Sequence, residues 1–79
     1  MYFNLFFDDI ETDVTTMFTD LKAANIAHIN FIEVKTDESN VNYIYLRVSF
    51  FGESYVRSKI QTELNTLGYT GTFTLVQIN

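Results

Sequence analysis

The order of periodic segments along this 79-residue chain predicts an α+β fold: a ferredoxin-like βαββαβ sandwich, with a four-stranded antiparallel sheet in the order 4-1-3-2 and two helices on one face. Three observations carry that prediction. Apolar and aromatic residues alternate with period two in four places. Between the first and second of these, and again between the third and fourth, the spacing becomes helical. The chain has no proline and only three scattered glycines, so nothing divides it, and residues 1–79 read as a single domain.

The elements follow in order. "YFNLFF", residues 2–7, is an aromatic-rich strand ended by Asp8 and Asp9. From there Ile10, Val14, Met17, Phe18 and Leu21 form one stripe of an amphipathic helix. Asp9 is its expected N-cap, Glu11 and Asp13 suit the positive end of the helix dipole, and Asn25 is the stop signal. "HINFIEVK", residues 28–35, is a second strand, and the polar "TDESN" turns it into a third, "VNYIYLRVSFF", residues 41–51. Gly52 breaks that strand. Ser54 is the expected N-cap of a second helix, with Val56, Ile60, Leu64 and Leu67 facing inward and Gly68 at C′. "TGTFTLVQIN", residues 70–79, is the last strand.

In the predicted order the first and third strands are central neighbours. Their helix-facing side carries Phe3, Leu5, Phe7, Ile44, Leu46, Val48 and Phe50. The opposite, uncovered side carries Tyr2, Asn4, Phe6, Tyr43, Tyr45, Arg47 and Phe51. Cross-strand aromatic pairs contribute about 0.2–1 kcal/mol each, a structural reason for rings there. A patch of this many rings also exceeds what a soluble monomer usually leaves exposed, which points to a protein surface, a second copy or another protein.

Charge adds a second candidate site. The net charge is −5, and residues 1–21 hold Asp8, Asp9, Glu11, Asp13 and Asp20 with no base, while the rest of the chain balances five acids with five bases. A negative field at one end repels nucleic acid and membranes and steers a basic partner. Asp8, Asp9, Glu11 and Asp13 are therefore the expected acidic partner-binding end. They lack the spacing of a calcium loop, so no metal is expected.

Nothing in the chain assembles a catalytic group. There is no cysteine, His28 is the one histidine, and neither a Gly-x-Ser-x-Gly turn nor a glycine-rich phosphate loop occurs. No enzyme activity, catalytic residue or cofactor is expected. Direct nucleic-acid binding is not expected either, because the aromatic face offers Arg47 and little other positive charge. No apolar run approaches the roughly 18 residues of a membrane span, and the N-terminus lacks a signal-peptide pattern, so the expected location is cytoplasmic with no membrane contact.

Three stretches, "YFNLFFDD", "LKAANIAHINFIEVKTD" and "YLRVSFFGESYVRSKI", resemble the ACT domain, the amino-acid-sensing regulatory module of prephenate dehydrogenases and dehydratases. That resemblance implies the same fold and a homodimer holding a small amino-acid ligand beside the loop after the first strand. In this chain the loop reads "DIETDV", without the family's glycine or proline element, so no ligand residues carry over. The leading expectation is a non-enzymatic protein-binding module. It regulates or inhibits its partner through the acidic end and the aromatic face, in the manner of a phage-type, anti-CRISPR-like inhibitor blocking a basic nucleic-acid surface. The alternative is the ACT-like homodimeric amino-acid sensor.

Overall fold

The computed structural model describes residues 1–50 and 52–79. Six elements follow one another: β1 (Tyr2–Phe7), α1 (Val14–Ala23), β2 (Ile29–Thr36), β3 (Asn42–Val48), α2 (Glu53–Thr66) and β4 (Phe73–Gln77). The strands form one antiparallel sheet in the order β2-β3-β1-β4, the expected 4-1-3-2 read from its other edge. The fold is the expected ferredoxin-like sandwich.

Alternation along the strands builds the core. Phe3 and Leu5 of β1, Ile44, Leu46 and Val48 of β3, Phe31 of β2 and Leu75 of β4 are buried on the helix side. Val14 and Leu21 from α1 and Val56, Ile60 and Leu64 from α2 close over them. Each such side chain contributes about 1.5–3 kcal/mol on leaving water, so one shared core holds both layers.

The ends of the elements depart from the sequence reading in ways that have physical causes. α1 begins at Val14, not at Ile10. Asp13 is its N-cap, Oδ1 accepting from the Thr16 amide at 3.1 Å, and no acid stands in its first turn. Asp9 instead accepts from the Glu11 amide at 2.9 Å and shapes a loop that leaves Ile10 98% exposed. Two aspartates four residues apart compete for one capping role, and the one nearer the buried Val14 takes it. Asn25, at φ 52°, does stop the helix.

α2 begins at Glu53 with Gly52 in the cap position and no side-chain cap, so Ser54 lies inside the helix. Glu53 sits in the first turn and pairs with Arg57 at 3.2 Å. Leu67 is the C-cap and is 39% exposed, not inward-facing. Gly68, at φ 85°, ends the helix as expected.

Phe50, expected in the core, is 82% exposed. β3 ends at Val48, and the last rung beyond it is the Ser49 amide donating to the His28 carbonyl at 3.0 Å. His28 has a left-handed backbone, φ 67°, so β2 offers nothing further to pair with. The chain bends away, and Phe50 meets the His28 ring edge-on at 5.6 Å. Phe51, assigned to the open face, lies outside the described residues.

Candidate functional site: the open sheet face and the acidic end

Hydrogen-bond parity decides how the side chains on the uncovered face meet. Met1 and Val48 exchange backbone bonds at 3.0 and 2.8 Å, so alternate residues from Met1 onward bond to β3. Tyr2 and Asn4 therefore stand in non-hydrogen-bonded positions opposite Arg47 and Tyr45, the positions where facing side chains come closest.

The four rings use that closeness. Tyr2 stacks on Tyr45 with centroids 5.5 Å apart and planes 9° apart. Phe6 stacks on Tyr43 at 4.8 Å and 26°. Each ring is half-buried by its neighbours and half-open to solvent, while Arg47 is exposed. The sequence thus places Tyr2, Phe6, Tyr43, Tyr45 and Arg47 correctly on one surface, and the rings form two ordered pairs. Between the pairs lies Asn4, whose Oδ1 is buried and has no hydrogen-bond partner among the described residues.

The face extends beyond what sequence reasoning marked. On the β4 side, Val76 lies opposite Asn4, and the Ile78 amide donates to the Tyr2 carbonyl at 2.8 Å. Their side chains are 46% and 51% exposed, continuing the apolar patch to the sheet edge. The alternation of "TFTLVQI" contained that signal. On the β2 side, Glu33 lies opposite Tyr45 and Lys35 opposite Tyr43, with the Lys35 Nζ 4.2 Å from the Tyr45 ring centroid. A bulge between Phe31 and Glu33 shifts the parity of this strand, so no period-two reading could assign the two charges to this face. From β2 to β4 the surface runs from charged border to aromatic centre to aliphatic border.

The acidic end forms where β1 leaves the sheet. Asp8 is tied to β4, accepting from the Thr72 hydroxyl at 2.6 Å and the Thr74 hydroxyl at 3.1 Å. Asp9 and Asp13 serve the loop and the helix cap, and Glu11 is exposed. These carboxylates are thus structural acceptors as well as surface charges.

The β2–β3 turn joins them. Asp37 Oδ1 accepts from the Ser39 and Val41 amides at 2.8 and 2.9 Å, and Asn40 takes the left-handed position at φ 63°, a three-residue hairpin loop. A cleft of about 260 Å³ lies between this turn and the β1–α1 loop, lined by Phe7, Asp9, Ile10, Thr12, Val14, Asn40, Val41 and Asn42. Asp37 and Glu38 thereby add to the field of Asp8, Asp9, Glu11 and Asp13.

Among the described residues no three acids, histidines or cysteines converge as a cation site, and no charged or polar residue is buried. His28 immediately precedes β2, at the end of the sheet away from the acids. Among the described residues no helix is long and apolar enough to cross a membrane. No family model, curated protein or solved structure matches this chain.

Proposed function

We propose that the chain is a non-enzymatic binding module that docks on another protein through the open face of its sheet. The observation that carries this reading is the uncovered surface of Tyr2, Phe6, Tyr43 and Tyr45, continued by Val76 and Ile78 and bordered by Lys35 and Arg47. Aromatic rings fixed by their neighbours lose little side-chain freedom on binding, which is what makes such residues anchors of interfaces. The partner suited to it has a matching apolar surface with a basic region beside it. The carboxylates of Asp8, Asp9, Glu11, Asp13, Asp37 and Glu38, all at one end of the sheet, select the basic region by charge. A nucleic-acid channel of another protein has that character, and occupying it makes the module an inhibitor of the anti-CRISPR type.

The experiment is a three-way capture from an extract of the producing cell. Tagged wild-type chain, the Tyr43→Ala/Tyr45→Ala variant and an Asp9→Asn/Glu11→Gln variant are compared by quantitative mass spectrometry. A partner enriched by the wild-type chain and lost with the tyrosine variant supports the reading. Reduced recovery with the second variant adds the acidic end. A profile equal for all three chains overturns it.

One observation favours a second reading, an amino-acid-sensing homodimer. The cleft of about 260 Å³ beside the β1–α1 loop is where the ACT-like resemblance puts a ligand. A ligand that binds only the native state raises the melting temperature by mass action. A melting screen with phenylalanine, tyrosine and the other amino acids decides it, a flat screen removing this reading.

A further inference from the structure

The two free edges of the sheet are guarded differently. Among the described residues β2 pairs only with β3, and β4 only with β1. A free edge offers unpaired N–H and C=O groups to any other strand, and folds blunt such edges with charge, proline or a bulge. β2 has the bulge after Phe31 and the charges of Glu33 and Lys35. β4 has none of these. It pairs with β1 in unbroken register from Phe7↔Phe73 to Phe3↔Gln77, and no charged residue or proline occurs from Leu64 to Asn79.

The register also fixes which groups are open. The Thr72 carbonyl accepts from the Asp8 amide at 3.1 Å, and the Ile78 amide donates to the Tyr2 carbonyl at 2.8 Å. Even-numbered residues of this segment therefore turn their backbone groups to β1. Those of Phe73, Leu75 and Gln77 face outward.

We infer that β4 is a pairing edge whose occupant is β4 of a second copy, running antiparallel about a two-fold axis. The two sheets then become one of eight strands. Charge argues for the copy and for its direction. Each chain carries −5, while β4 itself has no charged side chain; the charges beside it are Asp8 at its start and Arg57 of α2, 5.8 Å from the Phe73 ring centroid, so a second copy meets few like charges along this edge. Asp8 hydrogen-bonds Thr72 and Thr74, so the acidic end lies at the start of β4. Antiparallel pairing sends the two acidic ends to opposite ends of the joint sheet, whereas parallel pairing sets them side by side.

The strand is also self-complementary. Centred on Leu75, the pairing sets Phe73 across from Gln77 of the second copy and Thr74 across from its Val76. It forms about six inter-strand hydrogen bonds, two for each directly bonded pair. An edge contact alone buries less than the roughly 1,200–2,000 Å² of a standard interface, so the expected dissociation constant is roughly 10 μM to 1 mM. The inference rests on the backbone of β4 and stands apart from the proposed function, since the aromatic face stays open in the pair.

Sedimentation equilibrium and amide hydrogen exchange by NMR, at concentrations from about 10 μM to 1 mM, test it on the full chain. The expected result is a mass rising from 9.2 kDa toward twice that value, with exchange at Phe73, Leu75 and Gln77 slowing as concentration rises. Gln77→Pro removes an outward amide that β1 does not use, and Val76→Lys puts a charge on an exposed edge position. Each is expected to weaken pairing at least about tenfold while the melting curve stays cooperative. A mass fixed at that of one chain across the range overturns the inference. So does a dimer that both variants leave intact, whether or not Tyr45→Ala dissociates it.

Discussion

Asn4 stands at the middle of the open face, between the Tyr2–Tyr45 and Phe6–Tyr43 stacks, with a buried Oδ1 that no protein group among the described residues satisfies. An unmet buried acceptor costs about 1–3 kcal/mol, and asparagine is a poor strand residue. Asn4→Val is therefore expected to stabilise the fold by about 1 kcal/mol, read as a higher denaturant midpoint with an unchanged slope. A lower midpoint contradicts this account of the site. The acids divide in the same residue-level way. Asp13→Ala removes the α1 cap and is expected to cost about 1 kcal/mol. Asp9→Ala removes one loop hydrogen bond and is expected to cost less than about 0.5 kcal/mol. Both remove one negative charge, so equal losses of stability contradict the capping assignment.

Among the elements, the strands were legible in the sequence because their side chains alternate between a buried and an open side. The order of the sheet followed from the chain sequence of strands and helices with right-handed crossovers. The ends were less legible, since they depend on partners that no local pattern records. The alternation of β3 continues in sequence to Phe50, but its ladder stops where His28 turns β2 away. Ile10 fits the α1 stripe by spacing, yet it is outside the helix because Asp13 makes the cap. Ile10→Ser is accordingly expected to change stability by no more than about 0.5 kcal/mol, where a core position loses several times that. Gly68 is the opposite case. Its left-handed backbone at φ 85° has open space around the missing Cβ, so Gly68→Ala is expected to cost about 1 kcal/mol through backbone strain alone. Chemical unfolding measures both. The central part of the candidate site, Tyr2, Phe6, Tyr43, Tyr45 and Arg47, was legible by parity. Glu33 and Lys35 were not, because a bulge is invisible to a period-two reading.

At the scale of the whole molecule, the fold separates three surfaces. Helices cover one side of the sheet, the aromatic face lies open on the other, and six of the ten carboxylates, those of Asp8, Asp9, Glu11, Asp13, Asp37 and Glu38, gather at one end. In the proposed complex the acidic end speeds encounter and the rings hold the contact. Raising ionic strength from low to about 0.5 M is therefore expected to lower the association rate by at least about tenfold and to change the dissociation rate little. Stopped-flow mixing or surface-based kinetics separates the two rates. The central claim, that the open sheet face is the binding surface, is tested most directly by the dissociation constant of the captured complex. It is measured by calorimetry for the wild-type chain and for Tyr43→Ala/Tyr45→Ala, with the melting temperature of each chain alongside. The expected result is binding weakened about a hundredfold by loss of two anchor rings, in a variant that still unfolds cooperatively. A dissociation constant within about twofold of wild type, in a folded variant, contradicts the claim.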